Sequence, residues 1–407
     1  MNGIEYILSK KRNDYQRENF DDFLAHIQFF FNIPAIHVAG TNGKGSTSTF
    51  IKDIYSSNGY KVGLFNSPDK LNEMIRINDT CIDDNYIDKF VNEYKKLFEK
   101  YDLSTFEIET FLALKWFTDQ KVDLAVIECG MGGEYDATNV FTPILSIITT
   151  ISIEHSEFLG QSLSEIALNK AGIIKEDVPT LIGNLAGDAL ETVVQKCKEE
   201  NSKLIVLDHY HNVRNNGDSL SFDYRPYHDL SISSLAEYRV IAASLAVEAT
   251  NLLSESFPVK EDALKAGLLK SKLKCRFELV KGKPFIILDG AHNPEGIEQL
   301  RKEMDRSGLT KPVHVVFSAF RDKNIAQMLP EIGLIGKITL TTFDNPRARA
   351  EEDYFLYLED YPFENDFKAL LDRMIEEYKE DVILVTGSLT FTFVVREYLK
   401  KKGLIND

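Results

Sequence analysis

Residues 36–49, with the sequence IHVAGTNGKGSTST, constrain the fold more than any other stretch of the chain. A short apolar run leads into a glycine-rich turn, and the segment after it has the pattern of a helix start. The glycines allow a tight turn whose N–H groups face inward, and a helix N-terminus adds the positive end of its dipole. This strand–loop–helix unit is suited to hold phosphate, and Lys44 would supply a fixed positive charge.

The loop does not follow the common phosphate-loop pattern of Gly, four residues and then Gly-Lys-Ser/Thr. Val38 stands where the first glycine belongs, and Gly45 follows Lys44. The usual Ser/Thr ligand of magnesium is therefore missing, so a metal ion here needs ligands from elsewhere. The predicted nucleotide-binding residues of this variant loop are Gly40, Thr41, Asn42, Gly43, Lys44, Gly45 and Ser46.

The composition favours small-molecule partners. The chain has 407 residues, which is long for a single core, so we expect two or three domains. Its formal net charge of −16 opposes the broad attraction that nucleic acid or an anionic membrane requires. A bound phosphate therefore needs a local basic pocket. We expect that the protein binds neither nucleic acid nor membranes, and that it is a monomer.

Cysteine usage and hydropathy predict a cytoplasmic protein. The four cysteines show no Cys-x-x-Cys spacing, which favours neither a disulfide framework nor a zinc site. The N-terminal segment lacks the apolar core of a secretory signal. No apolar run approaches the roughly 20 residues of a membrane span.

Hydrophobic periodicity predicts an α/β chain with two domains. The first domain should contain a parallel nucleotide-binding sheet and a small antiparallel hairpin over residues 213–224. The second resumes the alternation of strand and helix after a linker near residues 270–276, so we predict domains of residues 1–272 and 273–407. Other predicted helices lie over residues 20–31, 84–100, 105–118, 162–172, 234–253 and 261–269, and predicted strands over residues 61–66, 122–128, 143–149, 178–183, 285–289, 314–317, 338–341 and 382–385.

Glu128 ends a predicted buried strand and is followed by the glycine-rich run CGMGGEYDATN. In a parallel sheet this strand points its carboxyl end at the same crevice as the phosphate loop. A carboxylate in that position is suited to bind magnesium.

Lys170 lies on the predicted helix over residues 162–172, which Ser162 and Glu165 start as a capping box and Gly172 ends. Leu163, Ile166, Ala167 and Lys170 form one apolar stripe at helical spacing. Burial of a lysine lowers its pKa and makes the neutral amine reactive, unless the side chain reaches back to water.

The predicted second domain carries the runs CRFE at residues 275–278 and LDGAHNP at residues 288–294. The latter follows a predicted strand, where a site is expected. A structural role is also compatible, because Asp289 and Asn293 could cap a helix that starts at Pro294.

These motifs together resemble the Mur ligase superfamily, and specifically its folylpolyglutamate and dihydrofolate synthases. The resemblance rests on the variant loop, the DATN run after Glu128, the pattern His155-x-x-x-Leu159-Gly160, and DGAHNP, and it extends from residue 36 to about residue 399. It implies an α/β fold with a P-loop-containing, Mur-ligase-like central domain, in which a parallel sheet is accompanied by a hairpin region. The C-terminal domain would be a Rossmann-like α/β domain that binds glutamate.

The resemblance also implies roles for individual residues. Lys44, Lys170, Arg276 and His292 would be catalytic, with Lys170 carbamylated by carbon dioxide. Magnesium would be held by Ser67, Glu128 and His155. ATP would be contacted by the variant loop, by Arg276 at the phosphates and by Asp289 at the ribose, and the incoming glutamate by His292 and Ser388.

The implied reaction is ATP-dependent addition of L-glutamate to the carboxylate of a folate through an acyl phosphate, with Mg²⁺. Three alternatives remain open: a Mur-type ligase with a non-folate acceptor, a phosphotransferase or nucleotide-dependent switch, and a non-catalytic binding module. A phosphotransferase would leave the DGAHNP run unexplained.

The chain departs from the family at three places. The segment after Ser67-Pro68 is short and has Met74 in place of an arginine. Ala236-Glu237 and Val240 replace a His/Tyr-Gln pair and an asparagine that lie near adenine in relatives. Glu134 replaces a common arginine, which removes a positive charge from the loop after Glu128.

Overall fold

The computed structural model describes residues 1–10, 17–66, 70–154, 156–280, 282–308 and 310–405. Two of the three predicted metal ligands, Ser67 and His155, lie outside the described residues. No helix among the described residues is both long enough and apolar enough to cross a membrane.

The described part of the chain alternates helices and strands. The helices are α1 Gly3–Ser9, α2 Arg17–His26, α3 Lys44–Ser57, α4 Leu71–Met74, α5 Asp84–Lys100, α6 Thr105–Asp119, α7 Ser156–Leu159, α8 Leu163–Ala171, α9 Gly187–Glu199, α10 Tyr238–Leu252, α11 Glu261–Lys270, α12 Pro294–Arg306, α13 Ile325–Gly333, α14 Phe367–Glu377 and α15 Leu389–Lys401. The strands are β1 Ala35–Ala39, β2 Val62–Phe65, β3 Ile75–Ile77, β4 Thr80–Cys81, β5 Leu124–Glu128, β6 Leu145–Ile148, β7 Thr180–Ile182, β8 Leu204–Val206, β9 His211–Asn215, β10 Leu220–Tyr224, β11 Tyr227–Ile232, β12 Glu278–Val280, β13 Phe285–Leu288, β14 Val313–Phe317, β15 Lys337–Thr341, β16 Phe363–Glu364 and β17 Val382–Thr386.

The first sheet has eight strands in the order β4-β3-β2-β5-β1-β6-β7-β8. β1 lies between β5 and β6 and is parallel to both, whereas β3 and β4 add an antiparallel edge that the sequence did not predict. The carboxyl ends of β1, β2, β5 and β6 therefore share one edge of the sheet, where ligands of open α/β sheets bind. A large buried cluster joins α2, α5 and α6 to this sheet and includes Phe23, Phe90, Phe111 and Ile127.

The second large sheet has six strands in the order β12-β13-β17-β14-β15-β16, and only β12 is antiparallel to its neighbour. β13 and β17 are adjacent and parallel, so the turns that follow them lie side by side. A smaller sheet has the order β11-β10-β9, in which β9 and β10 are the predicted hairpin and β11 is an additional strand.

The chain folds into two compact units. The first unit comprises residues 1–214, 221–233 and 239–271, and the second comprises residues 215–220, 234–238 and 272–407. The division into domains of residues 1–272 and 273–407 stays a prediction.

For two helices the predicted boundary was wrong: α2 ends earlier and α10 begins later than predicted. α2 stops at His26, because Gln28 adopts a left-handed conformation (φ +51°) and the N–H of Phe29 bonds to the carbonyl of Leu24, which closes the helix. α10 starts at Tyr238 instead of residue 234: the Ser234 hydroxyl accepts the N–H of Ala236 at 3.1 Å, which forms a local turn before the helix.

Candidate active site

The phosphate loop joins β1 to α3 and is fixed on the end of β6. The N–H of Thr41 donates to the carbonyl of Thr150 at 2.8 Å, and the N–H of Asn42 to the Thr150 hydroxyl at 2.9 Å. Gly40 has φ +144°, and a Cβ atom there would lie 2.0 Å from Oγ1 of Thr149, so only glycine fits. Gly43, with φ +86°, caps the N-terminus of α3.

The Lys44 side chain folds back over its own loop. Its Nζ donates to the carbonyls of Gly40 at 2.8 Å and Thr41 at 3.1 Å. The amine is therefore held in the loop by neutral main-chain acceptors. An anion bound in the loop would be a stronger acceptor for the same charge.

Lys170 on α8 is fully buried, as predicted, and meets the phosphate loop at the same atom as Lys44. Its Nζ donates to the Gly40 carbonyl at 3.0 Å and to Glu154 Oε1 at 3.2 Å. Burial lowers the pKa of Lys170, the Glu154 carboxylate raises it, and the charge of Lys44 lowers it further, so that the net shift is downward. Glu154 directly precedes His155, but sequence reasoning gave it no role.

The apolar stripe predicted for α8 is only partly correct. Ile166, Ala167 and Lys170 are buried, whereas Leu163 is 36% exposed. Leu163 is the first residue of the helix, where the Ser162–Glu165 capping box turns the chain at the surface. The capping box itself and the stop at Gly172 are confirmed.

Glu128 is the last residue of β5 and only 5% exposed. A Cβ atom at Gly45 would lie 3.3 Å from Glu128 Oε2 and 3.9 Å from Nδ2 of Asn66, so the glycine leaves room beside the carboxylate. Asn66 accepts a hydrogen bond from Arg76 at 3.1 Å, a contact that the sequence did not reveal. Within the described ranges, no group of three or more His, Cys, Asp or Glu residues could hold a metal ion.

The segment after Glu128, residues 130–139, is called the site loop. The Asp136 carboxylate accepts the N–H groups of Met131 at 2.7 Å and Thr138 at 3.0 Å. The Thr138 hydroxyl contacts Nε2 of buried His37 at 2.8 Å, and Cys129 Sγ lies 3.1 Å from the same nitrogen. Burial lowers the pKa of His37 to about 3, with smaller effects from Lys175 and Arg17, so the ring is neutral and acts in packing.

Glu134 in the site loop faces α8. A Cβ atom at Gly172 would lie 2.1 Å from Glu134 Oε2, which places the carboxylate against the C-terminal cap of that helix. The N–H of Glu134 donates to the carbonyl of Asn169 at 2.7 Å. The site loop and the end of α8 therefore form one hydrogen-bonded substructure.

In the second unit, the segment around Arg276 is fastened to the turn after β13. The N–H of Phe277 donates to Asp289 Oδ2 at 2.8 Å, and the N–H of Gly290 donates to the carbonyl of Cys275 at 2.9 Å. Cys275 and Phe277, on either side of Arg276, have φ values of +55° and +52°. Such left-handed conformations of non-glycine residues persist only where the surroundings fix them, which is common at functional sites.

Asp289 is 4% exposed and accepts hydrogen bonds from its own chain. Besides the N–H of Phe277, it accepts the Tyr238 hydroxyl at 2.7 Å and the N–H of Ala291 at 2.9 Å. Burial raises its pKa, and Tyr238 and Arg276 partly offset that effect. Asp289 therefore does not cap α12, contrary to the structural alternative, whereas Asn293 does, by accepting the N–H of Gly296.

His292 and Ser388 are brought to neighbouring turns. The N–H of Gly387 donates to the carbonyl of Ala291 at 3.0 Å, which ties the turn after β17 to the turn after β13. His292 Nδ1 lies 2.8 Å from the Gly290 carbonyl, and Ser388 caps α15. The structure thus gathers Arg276, Asp289, His292 and Ser388 at one edge of the second sheet.

The residues that replace the family's adenine-site residues are buried or ion-paired. Ala236 and Val240 are fully buried, and Glu237 forms an ion pair with Arg306 on α12. Met74, in the short segment after Ser67, is also buried in the core.

Two family profiles match the chain along this architecture. The Mur ligase middle domain matches residues 38–224, which contain the phosphate loop, Glu128 and Lys170. The glutamate ligase domain of Mur ligases matches residues 275–389, which contain Arg276, Asp289, His292 and Ser388. The fold and these two matches therefore define a Mur ligase.

Individual relatives narrow this class. The dihydrofolate synthase/folylpolyglutamate synthase of Bacillus subtilis (strain 168) is 34% identical over 391 residues, which cover 90% of this chain and 91% of that protein. The folylpolyglutamate synthase of Lacticaseibacillus casei is 30% identical over 384 residues, covering 89% of each. The chain belongs to the folylpolyglutamate and dihydrofolate synthase family.

A solved FPGS–AMPPCP–folate complex has the same fold, with a TM-score of 0.87 and 27% identity. The match covers 98% of this chain and 100% of that one. FPGS denotes folylpolyglutamate synthase, and AMPPCP is an analogue of ATP.

Proposed function

We propose that the protein is an ATP-dependent ligase that adds L-glutamate to the carboxylate of a folate, as a tetrahydrofolylpolyglutamate synthase that could also act on dihydropteroate. The proposal rests on the pair of lysine amines at the Gly40 carbonyl, in a loop whose Gly45 adjoins Glu128. The chain also aligns over nine-tenths of its length with a dihydrofolate synthase/folylpolyglutamate synthase. A Mur-type ligase with another carboxylate acceptor is the alternative, favoured by the short segment after Ser67.

In the first step, the acceptor carboxylate attacks the γ-phosphate of ATP in line and gives an acyl phosphate. The residues of this chain contribute position and charge. Lys44 exchanges its two loop carbonyls for phosphate oxygens, and the N-terminus of α3 directs its N–H groups at the same oxygens.

Magnesium would be held by Glu128 together with Ser67 and His155. The carboxylate of Glu128 and the space left by Gly45 fit a hard cation that prefers oxygen ligands. When bound, the ion neutralises charge on the phosphates.

Carbamylation of Lys170 is part of this proposal. Only a neutral amine adds carbon dioxide, and the lowered pKa of Lys170 favours that form. The resulting carbamate is an anion, so it would replace the present contact with Glu154. NMR of the protein in ¹³C-bicarbonate tests this: we expect a carbamate resonance that is absent from Lys170→Ala, and its absence from the unsubstituted chain would refute carbamylation.

In the second step, the amine of glutamate displaces phosphate from the acyl phosphate through a tetrahedral intermediate. We assign glutamate binding to His292 and Ser388, ATP phosphate contact to Arg276, and ribose contact to Asp289. No covalent enzyme nucleophile is required.

The test of the function is ATP-dependent incorporation of labelled glutamate with tetrahydrofolate, with dihydropteroate and without acceptor, with products read by mass spectrometry. We expect a mass increase of one or more glutamates that requires ATP and a pteridine acceptor. Incorporation into neither acceptor would overturn the proposal and favour a non-folate substrate.

We further propose that the protein acts as a cytoplasmic monomer. All four cysteines are free thiols, and Cys129, Cys197 and Cys275 are buried, which suits a reducing compartment. Sedimentation at micromolar concentration tests the monomer, and a dimer would contradict it.

A further inference from the structure

Arg17, the first residue of α2, holds two main-chain oxygens of the site loop. Its Nη1 donates to the carbonyl of Asp136 at 2.8 Å, and its Nη2 donates to the carbonyl of Asn139 at 2.7 Å. These two carbonyls bracket the last turn of the loop. The guanidinium thus fixes that turn from the side of α2.

The same turn is fixed to α8 on its other side. The Asn139 side chain donates to the carbonyls of Glu134 at 3.0 Å and Gly172 at 3.2 Å. A Cβ atom at Gly133 would lie only 2.6 Å from the Lys170 carbonyl, so the loop and the end of α8 are in close contact. A displacement of the site loop would therefore be passed to the helix that carries Lys170.

We propose that Arg17 is a positioning residue for ligation: it holds the site loop so that Glu128, which precedes the loop, and Lys170, which packs on it, keep their places around the phosphate loop. This inference rests on the proposed function for its catalytic part. Arg17 acts through the site loop and not on the reacting groups themselves.

The guanidinium is the group that suits this task. Its planar fork donates in fixed directions to two acceptors, whereas a lysine ammonium is a single centre on a flexible stem. The side chain is 18% exposed, so the two bonds are largely shielded from water. Its Nε makes a separate bond to Asp21, which is 52% exposed and supplies a matched control.

The test compares Arg17→Lys with Asp21→Asn. Loss of an outer group that orients ligands typically reduces metal affinity or activity by about 10- to 100-fold. We expect Arg17→Lys to lower kcat for ligation within that range, to raise the Mg²⁺ concentration for half-maximal rate, and to change KM for ATP by less than about twofold. Asp21→Asn, which keeps both carbonyl contacts, should stay within about twofold of the unsubstituted protein in all three quantities.

Amide hydrogen exchange of the same variants gives a readout that does not depend on activity. Because the site loop loses its support on one side only, exchange should accelerate in residues 130–139 of Arg17→Lys and remain unchanged in β1 and β5. In Arg17→Ala, added guanidinium should restore part of kcat, and ammonium should not. If exchange accelerates uniformly, or kcat falls only in proportion to the folded fraction, Arg17 has a purely structural role and the proposal is wrong.

The two hypotheses fail in different ways. An unsubstituted protein that does not ligate glutamate to any pteridine refutes the proposed function. Local exchange in Arg17→Lys that is indistinguishable from Asp21→Asn refutes the positioning role, whatever the protein ligates.

Discussion

The phosphate-loop site of the first unit and the DGAHNP site of the second satisfy their polar groups in different ways. Lys44 donates to neutral main-chain carbonyls of its own loop, which an anionic ligand can replace at little cost. Asp289 accepts three donors of its own unit and is 4% exposed. The first site is arranged to exchange partners on binding, whereas the second uses its carboxylate to hold a backbone shape around Arg276.

The largest effect on activity is expected at the first site, where removal of the Lys44 charge should slow the reaction and leave stability almost unchanged. Lys44→Met should lower kcat by about 10²- to 10³-fold, because one charged donor to the reacting phosphates is lost. The free energy of unfolding should change by less than about 1 kcal/mol, since the Gly40 carbonyl keeps its bond from Lys170. Steady-state kinetics and urea unfolding measure both, and a large loss of stability would contradict an exchangeable site.

At the second site, Asp289→Asn should lower stability more, and kcat less, than Lys44→Met does at the first site. The amide keeps one acceptor oxygen but turns an NH₂ group towards donors, so we expect a loss of about 1–3 kcal/mol in unfolding free energy and about tenfold in kcat. Tyr238→Phe, which removes one of the three donors and leaves the carboxylate, should lose about 1 kcal/mol. If Asp289→Asn were as stable as the unsubstituted chain, the carboxylate would not hold the backbone.

A buried carboxyl away from both sites sets a pH dependence. Burial raises the pKa of Glu109 on α6 from its ordinary value to about 7, so the folded state retains a proton that the unfolded state loses as pH rises above about 4.5. Its contribution to stability therefore falls as pH rises from about 4.5 to 7. Glu109→Gln should raise the unfolding temperature more at pH 8 than at pH 5, by the equivalent of about 1–3 kcal/mol. Glu93→Gln, at an exposed glutamate, is the control. If Glu109→Gln shifted the unfolding temperature equally at both pH values, the prediction would be wrong.

The smallest effect is expected at the departure near adenine. Glu237→Gln breaks an ion pair whose Arg306 side is 53% exposed, so stability should change by less than about 1 kcal/mol. Because Glu237 is engaged with Arg306, KM for ATP should stay within about twofold. A fall in KM well beyond that would mean that a glutamine at this position recognises the nucleotide.

The sequence predicted the residues whose chemistry is local. The strand–loop–helix of the phosphate loop, the burial of Lys170, the capping box at Ser162 and the strand end at Glu128 follow from neighbouring residues in the chain. The family resemblance is confirmed by the matches to Mur ligase profiles and to folylpolyglutamate synthases.

What the sequence missed depends on tertiary contacts. Lys170 pairs with Glu154, which lies 16 positions earlier in the chain. Arg17 donates to the carbonyls of Asp136 and Asn139, which lie 119 and 122 positions later. No hydrophobic periodicity encodes contacts at such separations. The local spacing of Asp289 allows a capping role, but Phe277 and Tyr238 take its oxygens. The early end of α2 depends on Gln28 adopting a left-handed conformation that favours glycine or asparagine, so composition gave no signal.

The shared carbonyl of Gly40 has a consequence for the order of the loop during turnover. A small anion entering the phosphate loop must detach Lys44 from two oxygens at once, and it leaves Lys170 still bonded to one of them. Because Lys170 keeps its bond to the Gly40 carbonyl, only the Thr41 carbonyl loses its lysine donor when Lys44 turns to an anionic ligand. Lys44 can therefore leave and return in each catalytic cycle while α8 holds the first glycine of the loop in place.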